Sequence, residues 1–146
     1  MSNNLLKGKK GIIFGALDEK SIAWKTALRA KEEGANFVLT NAPIALRMGT
    51  LNKLSDLTDS KIIPADATSI DDLENLVSET MSLFGGKIDF VLHSIGMSVN
   101  VRKGNLYTQQ KYDWTIKGLD VSALSFHKLM QVLYNNDSIE EWGSIV

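Results

Sequence analysis

The chain contains no cysteine. That excludes a disulfide framework and thiol chemistry among these residues, and it points to a reducing, cytoplasmic setting. Histidine is almost as scarce: His93 and His127 are the 2 present, so a transition-metal site is not expected. No apolar run approaches the roughly 20 residues that span a bilayer. The opening residues Met1 to Lys7 lack the apolar region of a signal peptide, and no membrane partner is expected. Neither charge sign dominates. The 16 Lys and Arg against 17 Asp and Glu leave a net charge of −1, with the basic residues scattered. No field favours nucleic acid, so none is expected as a partner. Internal repeats, low-complexity tracts and domain linkers are also absent. A length of 146 residues with 44% hydrophobic composition suffices for one domain with a real core.

What is present is an alternation of apolar runs with helix-period segments. Gly11 to Phe14 reads as a first strand, Asn36 to Thr40 as a second, Lys61 to Ala65 as a third and Ile88 to Leu92 as a fourth. Trp142 to Val146 looks like the start of a fifth. The first intervening helix runs from Ser21 to Glu33, stopped by Gly34. Its inward face is Ile22, Ala23, Ala27 and Ala30. A weaker helix, Pro43 to Leu57, is interrupted by Gly49. The next opens at Ser69 with Asp71 and Asp72 near its positive end, and Ile70, Leu73, Val77, Met81 and Phe84 form an amphipathic face. Val99 to Tyr107 reads as a polar loop. A long helix from about Thr108 to Tyr134 follows, with a break near Gly118. Its second half is apolar on more than one side: Leu124, Phe126, Leu129, Met130, Val132 and Leu133. A helix covering a sheet needs only one apolar stripe, so the second side suggests a subunit contact, with full burial in its own domain as the alternative.

Strand–helix alternation with short connections predicts a doubly wound parallel α/β sheet in three layers, of Rossmann type, over residues 1–146. Right-handed crossovers that reverse after the third strand give the order 3-2-1-4-5. Pro64 cannot donate to a ladder and so belongs at a sheet edge, where that order puts the third strand.

Chemistry gathers at the strand ends. Gly15 follows the first strand and leads into a helix, the architecture of a phosphate cradle: a glycine turn lets backbone approach a ligand, and a helix N-terminus attracts anions. Ser21 suits either a ligand contact or a simple helix cap. The usual G-x-G-x-x-G spacing is missing. So is the acid that commonly follows the second strand, where Thr40-Asn41-Ala42 stands. Arg47 and Lys53 downstream suit either a 2′-phosphate or solvent. Asp66 ends the third strand and fits an adenine amino group or an ordinary turn. His93-Ser94-Ile95-Gly96 closes the fourth strand at the switch point, where Gly96 permits close approach. His93 invites an acid–base role, although a histidine with no visible partner is more often structural.

Taken together, Gly15 with Ser21-Ile22-Ala23 six residues on, Asp66, His93-Ser94-Ile95-Gly96 and Ser125-Phe126 resemble the bacterial enoyl-acyl-carrier-protein reductases of the short-chain dehydrogenase/reductase superfamily. The resemblance implies reduction of a trans-2-enoyl thioester on acyl carrier protein, with NADH as cofactor and NADPH left open. It implies a homotetramer. It assigns Gly15, Ser21 and Ile22 to the cofactor's phosphates and ribose, Asp66 and Ala67 to adenine, and Ser94, Ile95 and Gly96 to the nicotinamide half. Ala42 falls beside the adenosine ribose, where some relatives carry a polar residue. Met97 and Ser98 fall toward the substrate. Family members place a catalytic Tyr and, several residues later, a Lys beyond the fifth strand. Tyr107, Tyr112 and Tyr134 do not match them, so no catalytic residue is expected within the chain and both are expected beyond Val146. The alternatives are another short-chain dehydrogenase or ketoreductase, and a nucleotide-binding module without catalysis.

Overall fold

The computed structural model describes residues 2–146. β1 (Lys10–Phe14) is followed by α1 (Ile22–Glu32), β2 (Asn36–Thr40), α2 (Pro43–Met48), α3 (Leu51–Thr58), α4 (Ile70–Phe84) and β3 (Ile88–His93). Then come α5 (Val99–Arg102), a 3-10 turn (Tyr107–Gln109), α6 (Tyr112–Leu119), a π-helical turn (Asp120–Leu124), α7 (Ser125–Asn135) and β4 (Ile139–Ile145). The four strands form one sheet in the order β2-β1-β3-β4, and every pairing is parallel.

This corrects the five-strand order 3-2-1-4-5. The segment 61–65 is not a strand: it touches the sheet through one parallel bridge, Leu39 to Ile62. It does lie outside β2. Ile63 and Ala65 donate to the carbonyls of Leu39 and Asn41 at 3.0 and 3.1 Å. Pro64, between those two donors, is exposed and has no N–H to offer a further strand. No second bridge forms because, among the described residues, the Asn41 N–H returns no bond to the segment. Asn41 turns away, its amide donating to the Ala16 carbonyl at 3.0 Å and its side-chain oxygen accepting from Ala42 N–H at 2.9 Å.

Alternation along the strands splits the core into two faces. Ile12, Phe14, Val38 and Val91 look toward α4 and α7, burying Leu73, Leu76, Leu129 and Leu133. Ile13, Phe37 and Leu39 look toward α1 and α3. The α1 face is Ala23, Trp24, Ala27 and Ala30. Trp24 takes the place expected of Ile22, which is 76% exposed, because the helical phase centred on Ala23 and Ala27 turns the first residue outward. On α4, Leu73 and Val77 are buried as the spacing predicts, but Leu76 and Thr80 complete the stripe and Ile70 is partly exposed. Ser69 caps α4 by accepting from Asp72 N–H at 3.2 Å.

The second helical region divides at Gly49 because a Cβ there would lie 2.6 Å from the Leu17 carbonyl oxygen, which also accepts from Thr50 N–H at 3.0 Å. The region expected as a polar loop contains α5. The expected single long helix is instead α6 and α7 joined by the π-helical turn. The extra residue of such a turn shifts the helical phase, which a reading at a fixed 3.6 period does not detect. Among the described residues no helix is long and apolar enough to cross a membrane.

Thr40 Oγ1 is buried with no hydrogen-bond partner among the described residues. Replacing it by a methyl group of the same shape relieves an unsatisfied polar atom, so Thr40→Val is expected to stabilise the fold by about 1 kcal/mol. Urea unfolding at neutral pH measures this, and a loss of similar size would show that the hydroxyl has a partner.

Candidate cofactor site

The carboxyl ends of β1, β2 and β3 converge on one groove of about 480 Å³. β1 lies between β2 and β3, so the crossover through α4 carries the chain back across β1 and opens a crevice at the strand tips. Seven of the expected residues line it: Gly15, Ala42, Asp66, Ser94, Ile95, Gly96 and Met97. Ser21, Ile22, Ala67 and Ser98 do not.

Gly15 adopts φ +87°, and a Cβ there would lie 1.8 Å from the Ser94 carbonyl oxygen. Its glycine is therefore demanded first by the neighbouring strand end rather than by a ligand. That contact brings the β1 turn and the Ser94–Gly96 segment to opposite sides of a single groove. Gly96 is different: nothing stands within 4 Å of a Cβ placed there, so its open side faces free space.

Ser21 occupies the N-cap position of α1, yet its side chain caps nothing. The hydroxyl instead donates to the Asp18 carbonyl at 2.7 Å and accepts from Leu17 N–H at 3.3 Å, tightening the turn. With no side chain in the cap, the leading N–H groups of α1 keep their capacity to bind an anion.

Asp66 sits at the other end of the groove. Its Oδ1 accepts from Thr68 N–H at 2.9 Å and from the Thr68 hydroxyl at 2.7 Å, and its own N–H donates to Asp72 Oδ2 at 2.8 Å. The Thr68 backbone bond, above all, holds the carboxyl below its ordinary value of 3.8; burial opposes this, and the Thr68 hydroxyl, Lys117 and Lys128 reinforce it. Asp66 is thus an ionised acceptor at neutral pH. Ala67 beside it is buried in the core, so it can offer only backbone.

His93 is a structural residue. Ser125 Oγ donates its one proton to the Val121 carbonyl at 2.7 Å, so it accepts from His93 Nε2–H, 2.8 Å away. The ring stacks edge-on against Phe126 at 5.4 Å and leans on Phe14 at 6.0 Å. Burial lowers its pKa from the ordinary 6.5, keeping it neutral, and it does not line the groove.

Several groove residues carried no recognisable signal in the sequence. Asn41 lines it and ties β2 to the Ala16 carbonyl. Arg102 comes from α5, Lys117 from α6 and Val121 from the π-helical turn. Ser122, in the π-helical turn, clamps the loop after β3: its Oγ accepts from Met97 N–H at 2.9 Å and donates to Met97 C=O at 3.3 Å. Gly118 allows that loop to lie close, since a Cβ would be 3.1 Å from the Met97 carbonyl oxygen. Only the position after a strand could have flagged Asn41; the others depend on how α5, α6 and the π-helical turn pack over the strand ends, which residue type and spacing do not set. No cluster of His, Asp or Glu able to hold a metal occurs among the described residues.

A sequence model of the family described as enoyl-(acyl carrier protein) reductase matches residues 15–146. The chain belongs to this family. It is 28% identical to the NADH enoyl-[acyl-carrier-protein] reductase 2 of Rhizobium meliloti over 127 residues, 87% of this chain and 47% of that protein. It superposes with a TM-score of 0.95 on the crystal structure of the FabI–NADH complex from Alistipes finegoldii, at 60% identity over 97% of this chain and 50% of that one. The chain therefore spans about half the length of the relatives it matches.

Two outcomes follow from the site's geometry. Gly15→Ala drives a Cβ into the Ser94 carbonyl at a positive φ, and is expected to destabilise the fold by roughly 3 kcal/mol or more; unchanged urea unfolding would show the strand ends can part freely. A histidine with a lowered pKa favours the folded state above its ordinary value, because the unfolded chain binds the proton more tightly. Stability is therefore expected to be full above pH 6.5 and to fall below it. His93→Gln, which keeps a donor toward Ser125, should flatten that decline below pH 6.5. The same slope in both proteins would assign it to another group.

Proposed function

We propose that this chain is the dinucleotide-binding domain of an NADH-dependent enoyl-acyl-carrier-protein reductase that reduces a trans-2-enoyl thioester. The observation that carries the reading is the single groove in which the Gly15 turn, Asp66 and Ser94–Gly96 meet. A solved structure at 60% identity and a TM-score of 0.95 is a FabI–NADH complex. The residues fit such a cofactor. A cleft of about 480 Å³ lies in the range of ligand sites, α1 offers uncapped N–H groups, and the open side of Gly96 leaves room for a ring. When bound, the nicotinamide supplies hydride.

The chain's own residues bind and orient. Backbone at Gly15, Ser21 and Ile22 receives the pyrophosphate, although neither Ser21 nor Ile22 side chain lines the groove. Asp66, ionised, accepts from the adenine amino group while Ala67 contributes backbone. Ala42 borders the adenosine ribose. Ser94, Ile95 and Gly96 border the nicotinamide half, and Met97 and Ser98 lead toward the enoyl chain. Lys117 and Arg102 line the groove without ion-pair partners among the described residues and offset the diphosphate charge. NADH suits the site better than NADPH because no basic pair follows Thr40 directly.

No tyrosine lines the groove; Tyr107, Tyr112 and Tyr134 are all at least 76% exposed. In this reading none of these three tyrosines donates the proton, and the chain's part in the reaction is to hold and orient the cofactor. Acyl carrier protein is the partner that presents the substrate. Leu119, Leu124 and Tyr134 leave apolar surface on α6, the π-helical turn and α7, which suits a homo-oligomer, in this reading a cytoplasmic tetramer.

The purified 146-residue chain is expected to bind NADH, seen as saturable nicotinamide fluorescence, and to leave NADH unoxidised when crotonyl thioester is added. Absence of binding would refute the cofactor assignment, and turnover would refute the reading that these residues only hold the cofactor.

A further inference from the structure

We propose that Lys128 is a positioning residue for the adenine end of the groove, bracing the turn that carries Asp66 against the helical wall opposite. The inference rests on the reading that this groove holds a dinucleotide. It adds a residue that neither lines the groove nor touches the strand ends.

The brace is a short chain of hydrogen bonds. Lys128, on α7, donates from Nζ to the Thr68 carbonyl at 3.0 Å and to Asp120 Oδ1 at 3.0 Å. Thr68 in turn gives both its N–H and its hydroxyl to Asp66 Oδ1. One carboxylate oxygen of Asp66 is thereby held, leaving the other as the acceptor for an incoming amino group. Asp120 opens the π-helical turn, and the next residue, Val121, lines the groove, as Thr68 does from the other wall. Lys128 thus links the lining of two walls that belong to distant parts of the chain.

The geometry separates this lysine from an ordinary surface cation. An exposed ion pair contributes little, because it must order two long side chains in water. Here the side chains of Lys128 and Asp120 are only 28% and 34% exposed. The second acceptor is a main-chain carbonyl, fixed in place by the turn. The ion pairs whose side chains are mainly exposed, such as Lys53 with Glu19, join no groove residue. Loss of the ammonium frees the Thr68 carbonyl and lets the 66–69 turn drift from the α6–α7 wall. The adenine contact suffers, while the nicotinamide end, built on β1 and β3, keeps its shape.

The test uses NADH affinity by nicotinamide fluorescence, with AMP and nicotinamide mononucleotide as separate competitors. Lys128→Met is expected to weaken NADH and AMP about tenfold and to leave nicotinamide mononucleotide unchanged. Lys128→Arg, which can still reach both acceptors, should restore AMP binding. Asp120→Ala, which releases Lys128 from its anchor and keeps the fold if Lys128→Met does not, should weaken AMP about threefold. Equal weakening of both competitors, accompanied by a lowered Tm, would show a purely structural lysine and overturn the inference. So would unchanged AMP binding in folded Lys128→Met. Failure of the unaltered chain to bind NADH at all would overturn the cofactor reading and the inference with it.

Discussion

The close approach of Gly15 to the Ser94 carbonyl constrains everything else at this end of the molecule. β1 and β3 are paired in register from Gly11 opposite Phe90 to Phe14 opposite His93, and both chains leave the sheet one residue later. A side chain at Gly15 would occupy the space of the Ser94 carbonyl. Without one, the two exits nest, one turning into α1 and the other into the loop at Met97. The groove is what remains between them. Its floor is backbone, which suits a ligand recognised by peptide N–H groups and shape more than by side-chain charge.

The second wall is built on the π-helical turn. Within five residues it supplies Asp120 to Lys128, Val121 to the groove, its carbonyl to Ser125, and Ser122 to the Met97 backbone. Through Ser125 it also fixes His93, the last residue of β3. A regular helix advances about 100° per residue and could not aim three successive residues at these targets. The wider turn redistributes them. The polar side chains of the turn itself are therefore consumed in holding loops in place, while Arg102 of α5 and Lys117 of α6 bring charge to the groove.

Much of this was legible in the chain. β1, β2 and β3, the α4 stripe and its Ser69 cap follow from alternation, period and capping chemistry. Gly15, Asp66 and Ser94–Met97 were readable because each stands just past an apolar run, where a parallel sheet exposes its working end. What could not be read has physical causes. The segment around Pro64 has strand composition, but among the described residues the Asn41 N–H returns no bond to it, so no second bridge forms. The exposure of Ile22 depends on helical phase, which a list of apolar residues does not set. The break from α6 to α7 is a π turn with no residue signature, so Lys117, Ser122 and Lys128 came into view only with coordinates. Ser21 illustrates the limit in the other direction: its position is that of a cap, and its hydroxyl bonds to the preceding turn instead.

The claim on which the rest stands is that the ends of β1, β2 and β3 form one ligand groove. Amide chemical-shift mapping of the isotopically labelled chain during NADH titration measures it residue by residue. The expected result is a single saturable set of perturbations at Gly15, Ile22, Ala42, Asp66 and Ser94 to Met97, sharing one dissociation constant. Perturbations confined to the shallow recess beside Leu6, Lys25 and Arg29 on the far side of α1, or separate affinities for the Gly15 turn and the Ser94–Met97 loop, would contradict it.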